Sequence, residues 1–149
     1  PRAAAAKHPS GLMVGVVLKW AGEFEQAAAE DYETLASQAT DPELRALLQK
    51  LSAEERDHIE HIKRASAEHE TLQLAPEARE AELPERDTLS HDVAHADRPL
   101  LEHAIEHEEA TAQFYRELAR LTPLRSLKRT FTTLAEAELD HARRLKNLG

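Results

Sequence analysis

The sequence has no cysteine, little glycine and few aromatic residues, and each shortage narrows the class of protein. Without cysteine, the 149 residues can form neither disulfides nor thiolate metal sites such as iron–sulfur clusters and zinc ribbons. Only 4 residues are Gly and 4% are aromatic, while Ala, Leu and Glu are abundant, so the composition favours helices over sheets. The absence of cysteine also suits a reducing compartment, and we expect a cytoplasmic protein.

The sequence also lacks a net positive charge and long apolar runs. A formal net charge of −9 argues against nonspecific binding to nucleic acid and against anionic membrane surfaces, since both require a basic face. The longest apolar run, Gly11 to Leu18, is too short to span a bilayer. No cleavage pattern follows the basic segment Pro1 to His8, so we expect no secretion signal. The apolar run and Trp20 predict burial against another subunit, in a homodimer or larger homo-oligomer, with membrane contact as the less favoured alternative.

Four helical stretches are readable from the periodicity of apolar residues. Two of them begin where a capping residue precedes a proline, at Asp41-Pro42 and at Thr122-Pro123. The connection between the second and third helices, residues 71–96, is long enough to travel the length of a bundle, on the order of 40 Å. We therefore predict one all-α domain over residues 1–149, a four-helix bundle made of two helical hairpins. The predicted segments are hairpin 1 at about 12–68, the crossover at about 71–96 and hairpin 2 at about 97–148.

An internal repeat relates the two hairpins. Residues 21–63 align without a gap with residues 104–146 when the sequence is shifted by 83 positions, and 14 of the 43 aligned positions are identical. Shared Leu and Ala are expected between any two helical hairpins, but shared Glu, Tyr, Asp and His are not. The chain therefore reads as a duplicated hairpin with a pseudo-two-fold axis.

Each half contains a Glu-x-x-His motif, Glu55 with His58 and Glu138 with His141. Residues three apart share a helix face, so Glu and His can reach one metal ion, although a single such motif in a Glu-rich chain more often belongs to a solvated salt-bridge face. The phase of the motifs favours the first reading, because both lie on the stripes of Leu residues that should be buried. Two further carboxylates lie on the buried stripes of the other two helices, at the same height: Glu25 and Glu108.

Four carboxylates in an apolar core are very unfavourable unless they protonate and share hydrogen bonds or bind cations. Two divalent ions would balance four carboxylates if both histidines are neutral. Carboxylate and imidazole ligands suit Fe, Mn or Zn. The sequence thus predicts a two-metal centre in the middle of the bundle, with six ligands: Glu25, Glu55, His58, Glu108, Glu138 and His141.

The pattern resembles the rubrerythrin branch of the ferritin-like superfamily, above all in residues 104–119 and 134–141. The resemblance implies a ferritin-like bundle, two iron ions and the same six ligands. It also implies that Tyr32 and Tyr115 hydrogen-bond to ligand carboxylates, while ordinary core packing is the alternative for both. Two departures matter: the chain lacks the four cysteines of a rubredoxin-like iron domain, which requires an external electron donor, and Thr111 stands where many rubrerythrins carry an extra Glu ligand.

The expected activity is that of a nonhaem di-iron oxidoreductase that reduces peroxide or O₂. The alternatives are a ferroxidase or iron-handling protein of the ferritin-like type, a non-enzymatic helical interaction module and, more distantly, a small hydroxylase. Thr111 weakens the case for rubrerythrin-type peroxide reduction.

Several other polar residues are weaker candidates. By their phase we expect Glu23 and Glu106 to lie on the surface. Asp57 and Asp140 either orient a histidine ligand or pair with Arg on the surface. The remaining histidines are expected to be solvated or peripheral rather than ligands: His61, His91, His95, His103 and His107.

Overall fold

Four α-helices make up the described part of the chain. The computed structural model describes residues 14–69 and 97–148. The helices are α1 (Val14–Gln38), α2 (Pro42–His69), α3 (Asp97–Leu121) and α4 (Arg125–Lys146). They form an all-α four-helix bundle of the ferritin-like fold, which confirms the predicted fold class. The basic segment and the crossover predicted at about 71–96 lie outside the described residues.

The first hairpin turns where the sequence predicts it. Asp41 caps α2: its carboxylate accepts a hydrogen bond from the backbone N–H of Glu43 at 3.1 Å, and its carbonyl accepts one from the N–H of Arg45 at 2.9 Å. Pro42 occupies the first helical position, where a missing N–H costs nothing. The guanidinium of Arg45 also donates to the carbonyl of Ala39 at 2.7 Å, which ties the turn to the end of α1.

The predicted start of the fourth helix is wrong. The helix begins at Arg125, and its N-cap is Leu124, which forms no side-chain cap hydrogen bond. The hydroxyl of Thr122 instead points back to α3 and donates to the carbonyl of Leu118 at 2.5 Å, so it satisfies a carbonyl at the end of α3. The cap-then-proline signal at Thr122-Pro123 therefore marks the turn between the helices.

Side-chain contacts define how the two hairpins face each other. Tyr32 of α1 bonds to Glu108 of α3, and Tyr115 of α3 bonds to Glu25 of α1, so α1 and α3 run antiparallel. On the other side, His58 of α2 lies near Glu138 of α4, and Glu54 of α2 bonds to the more C-terminal Arg144, which makes α2 and α4 antiparallel as well. This pairing is the pseudo-two-fold arrangement that the repeat predicts.

The apolar core of the described residues is divided into two clusters, one towards each end of the bundle. One cluster includes Leu18, Ile62, Tyr115, Leu127 and Phe131. The other is built from the opposite ends of the same helices: Tyr32, Leu35, Leu48, Leu51, Leu100 and Leu145. Each helix thus contributes one end to each cluster, and the six predicted ligands lie at chain positions between these ends.

The N-terminal end of α1 carries the exposed apolar residues expected from the sequence. Val16 is 41% exposed and Trp20 is 44% exposed, and both lie on the outside of the described bundle. Burial of this face against another copy stays a prediction. No helix within residues 14–69 or 97–148 is long and apolar enough to cross a membrane.

Candidate metal centre

The structure brings the six predicted ligands together in the middle of the bundle. All six are buried, with exposed fractions between 0% and 7%: Glu25, Glu55, His58, Glu108, Glu138 and His141. Each helix supplies its residues from the stripe that also carries core leucines, which buries five of the six side chains almost completely and leaves His58 7% exposed. Four acidic groups and two imidazoles therefore share one dry interior.

Within this centre, the potential ligand atoms form two overlapping groups of four and a group of three, Glu55, His58 and His141, that joins them. One group contains Glu25, Glu55, Glu138 and His58, and the other replaces Glu25 and His58 with Glu108 and His141. In each group one ligand atom per residue lies within 4.8 Å of all the others. Glu55 and Glu138 belong to both groups, so the arrangement offers room for two cations that share these two carboxylates.

Two buried tyrosines hold the two unshared carboxylates. The hydroxyl of Tyr115 donates to Oε2 of Glu25 at 2.7 Å, and the hydroxyl of Tyr32 donates to Oε2 of Glu108. Each bond runs from one hairpin to the other, so a tyrosine steadies the carboxylate opposite it and not the one on its own helix. Because a phenolic O–H fixes one oxygen of each carboxylate, it leaves the other oxygen for the centre.

Both histidines present Nδ1 to the carboxylates. Nδ1 of His58 lies 3.0 Å from Glu55, 3.5 Å from Glu138 and 3.6 Å from Glu25. Nδ1 of His141 lies 3.2 Å from Glu108 and 3.3 Å from Glu138. The two rings are nearly parallel, with centroids 5.6 Å apart and planes inclined by 9°. The imidazoles therefore flank the shared carboxylates symmetrically with the same ring nitrogen.

Burial and mutual repulsion raise the pKa of the two shared carboxyls. Desolvation is the largest cause for both Glu55 and Glu138, and the charges of Glu108 and Glu25 add to it. Both pKa values lie well above the ordinary value for Glu. Without a cation, burial and repulsion therefore favour the protonated form of both groups.

The remaining charges of the cation-free centre balance in pairs. Burial alone would raise the pKa of Glu25 and of Glu108, but the neighbouring imidazoles lower both, that of Glu108 to about 2. Burial would lower the pKa of His58 and of His141, but the adjacent carboxylates raise both, that of His141 to about 9. Two carboxylates and two imidazolium rings then carry the charge of the centre.

Several buried polar atoms of this centre have no hydrogen-bond partner. Five of its carboxylate oxygens are buried without a hydrogen-bond partner: Oε1 of Glu25, Glu55 and Glu108, and both oxygens of Glu138. Nδ1 of His58 is likewise buried without one, because its approach to Glu55 is not aligned as a hydrogen bond. Such orphaned oxygen and imidazole atoms are the donor set that Fe, Mn and Zn accept, so the residues fit divalent cations.

The prediction that His107 is solvated or peripheral is wrong. It is 3% exposed, and its ring stacks on that of Phe24 with centroids 4.8 Å apart. Burial lowers the pKa of His107, so the ring is neutral. A signal for this placement was available, because position 107 aligns with position 24 in the repeat and Phe24 is an aromatic residue on a buried face.

The sequence did not predict a polar network that lies beside the centre. Glu54, on α2, accepts a hydrogen bond from Nε2 of His141 at 3.0 Å and forms a two-bond pair with Arg144 at 2.8 and 2.9 Å. Arg144 also donates to Asp140 at 3.0 Å. Of the two readings for Asp140, pairing with Arg on the surface is the one observed, and Arg143 is its second partner.

The other weaker candidates lie where the phase of the helices puts them. Glu23, Glu106, Asp57, His61 and His103 are exposed. Thr111 is buried, and its hydroxyl donates to the carbonyl of His107 at 2.9 Å, so it adds no ligand at the position of the extra Glu. The predictions for His91 and His95 lie outside the described residues.

The fold and the centre together define a class of protein, a ferritin-like bundle with clusters of Glu and His that could hold metal. The family model of rubrerythrin matches residues 99–148, which covers nearly all of α3 and the whole of α4. This match confirms the rubrerythrin resemblance on the second hairpin. Searches of curated proteins and of solved structures found no match.

Proposed function

We propose that the protein is a nonhaem di-iron oxidoreductase that reduces peroxide or O₂ with electrons from an external donor. One observation carries the proposal: two overlapping four-residue groups of Glu and His share Glu55 and Glu138 at the centre of the bundle. The rubrerythrin match favours iron over manganese or zinc. Glu25, Glu55 and His58 from the first hairpin would hold the ions together with their counterparts from the second: Glu108, Glu138 and His141.

The charges of the chain support two divalent cations. Four carboxylates and two neutral imidazoles carry four negative charges, which two such cations cancel. The cations would take the place of the protons on Glu55, Glu138 and both histidines, and they would give partners to the orphaned carboxylate oxygens.

The chain's own groups would prepare the site for redox chemistry. Two adjacent ferrous ions would together supply the two electrons that reduction of peroxide requires. Tyr32 and Tyr115 hold the carboxylates of Glu108 and Glu25 in place. The apolar clusters on either side, around Phe131 and Leu51, exclude bulk water from the centre. Because the sequence has no cysteine, it has no iron–thiolate site to pass electrons inward, and the donor would act from outside the bundle.

Catalytic turnover tests the proposal. The protein is loaded with ferrous iron under anaerobic conditions, desalted and supplied with hydrogen peroxide and an excess of a small-molecule reductant. We expect many equivalents of peroxide to be consumed per chain, with free iron at the same concentration as the blank. Consumption of about one equivalent per di-iron centre, with no further turnover while reductant remains, would contradict an enzyme that reduces peroxide.

A ferroxidase or iron-handling role is the second candidate, and Thr111 favours it. The hydroxyl of Thr111 is engaged with a backbone carbonyl, so the centre has a symmetric six-residue set without an extra carboxylate. This role predicts that ferrous iron is oxidised and retained in proportion to the iron added, by a large hollow assembly. Sedimentation of the iron-treated protein, with iron analysis of each fraction, separates this outcome from catalytic turnover.

A further inference from the structure

The centre is symmetric inside but asymmetric just outside. Both histidines turn Nδ1 inwards, and both unshared carboxylates receive a tyrosine hydroxyl. Behind the rings the symmetry ends, because Nε2 of His141 bonds to Glu54 at 3.0 Å. Under the 83-residue shift, Glu54 corresponds to Ala137, whose methyl group cannot accept a hydrogen bond from His58.

The direction of the bond between Glu54 and His141 follows from Arg144. The guanidinium of Arg144 donates to both oxygens of Glu54, so this carboxylate is an acceptor, and Nε2 of His141 carries the hydrogen. A neutral His141 therefore has its lone pair on Nδ1, the atom that faces Glu108 and Glu138. The carboxylate behind the ring also makes Nδ1 a stronger base towards a cation.

Glu54 is itself well held. Its side chain is 31% exposed and that of Arg144 is 21% exposed, and their two parallel bonds join α2 to α4. The position that corresponds to Arg144 in the first hairpin is His61, which is exposed, and within residues 14–69 and 97–148 no equivalent carboxylate–Arg pair lies behind His58. His58 is also the most exposed of the six residues, at 7% against 1% for His141.

We infer that Glu54 is a positioning residue for His141, and that it makes the two halves of the centre unequal. The half formed by Glu108 and His141 with the two shared carboxylates binds its cation more tightly. The half formed by Glu25 and His58 binds more loosely and exchanges its cation with solvent. This inference rests on the proposed metal centre and adds an order of filling to it.

A titration with Co²⁺ tests the inference on the complete chain. In the unaltered protein we expect two binding steps separated by about tenfold or more in affinity. Glu54→Ala removes the acceptor and should weaken the tighter step by about 10–100-fold, while the looser step changes by no more than about threefold. Glu54→Gln keeps an amide oxygen in place and should fall between the two. It also gives a usable result if the Ala variant folds poorly.

A matched control removes a comparable salt bridge that touches no imidazole. Glu33 bonds to Arg56 at 2.7 Å and to Ser52 at 3.1 Å, so Glu33→Ala also breaks an interhelical carboxylate–Arg pair. Both binding steps should be unchanged in this variant. If Glu33→Ala weakens the tighter step as much as Glu54→Ala does, the effect is one of general stability, and the inference is overturned.

Proton NMR of the Co²⁺ form supplies a signature that a purely structural role would not move. Each bound imidazole should give one strongly shifted N–H signal that disappears in D₂O, and the signal of His141 should exchange more slowly because Glu54 holds it. In Glu54→Ala both signals should exchange at similar rates. If the two Co²⁺ binding steps have equal affinity and Glu54→Ala changes neither, the asymmetry of the centre is overturned and the metal centre itself is not. Absence of any binding at the six residues would instead overturn the proposed function.

Discussion

The two hairpins agree at the buried residues that form the centre and differ at several residues directly beside them. Their matching residues on the inside are four pairs: Glu25/Glu108, Tyr32/Tyr115, Glu55/Glu138 and His58/His141. Immediately around these pairs the hairpins diverge, as in Phe24/His107 and Glu54/Ala137. The comparison separates what the centre requires from what each hairpin adds. Both hairpins must supply buried carboxylates and an imidazole whose charges balance, whereas the residues beside these groups can differ.

The largest effect should come from removing the two carboxylates that belong to both halves. Glu55→Ala combined with Glu138→Ala removes both shared carboxylates, and so two of the four residues, from each group. We expect metal binding to be abolished with helicity retained, since the variant also loses two costly buried carboxyls. Metal analysis and circular dichroism measure the two outcomes.

The repeat offers a matched control for this double variant. Glu23 and Glu106 are also paired glutamates on α1 and α3, but both are exposed. Glu23→Ala combined with Glu106→Ala should therefore bind metal as the unaltered protein does. Equal loss of metal from both double variants would show that overall charge, and not the buried centre, governs binding.

The next largest effect should be that of pH on metal affinity. The pKa values of Glu55, Glu138 and His58 are raised, and that of His141 lies at about 9, so the protonated forms of these groups are favoured in the metal-free protein. A cation must displace these protons, so affinity should rise with pH, with about two protons released per ion. Calorimetry of metal binding at pH 7 in two buffers of different ionisation enthalpy counts them. An unchanged heat in the two buffers would show that the centre is not protonated.

A smaller effect, equal in the two hairpins, is expected from the tyrosines. Tyr32→Phe and Tyr115→Phe each remove one hydroxyl that donates to a buried carboxylate. Each change should destabilise the metal-free protein by about 1.5–3 kcal/mol, the usual range for hydrogen bonds to charged groups. Urea denaturation of both variants measures the loss. A cost confined to one tyrosine would break the symmetry of the interior.

Most of the fold and of the candidate site follows from periodicity and the repeat. Buried stripes that contain Glu55 and Glu138 could be read from the sequence because a 3.6-residue period fixes which side chains share a face. The repeat then placed Glu25 and Glu108 at the same height. The four-helix bundle is confirmed, whereas metal binding by the six residues stays a prediction.

Most of the features that the sequence did not predict are interactions that helical periodicity does not report. Thr122 looks like a cap for α4, but its hydroxyl bonds backwards to Leu118, and only the geometry of the turn decides between the two. Glu54 lies beside the buried stripe and reaches His141 on another helix through a long side chain. His107 is polar by type, yet its stacking on Phe24 buries it. Such contacts depend on how the helices are set against each other.

The most direct test is to locate the metal itself. Crystals of the protein loaded anaerobically with ferrous iron are measured at the iron absorption edge, and the anomalous scattering is mapped. We predict two iron peaks per chain, roughly 3.5–4 Å apart, on either side of the pair formed by Glu55 and Glu138. A map without iron between these carboxylates, or with the six side chains far from whatever iron is bound, would contradict it.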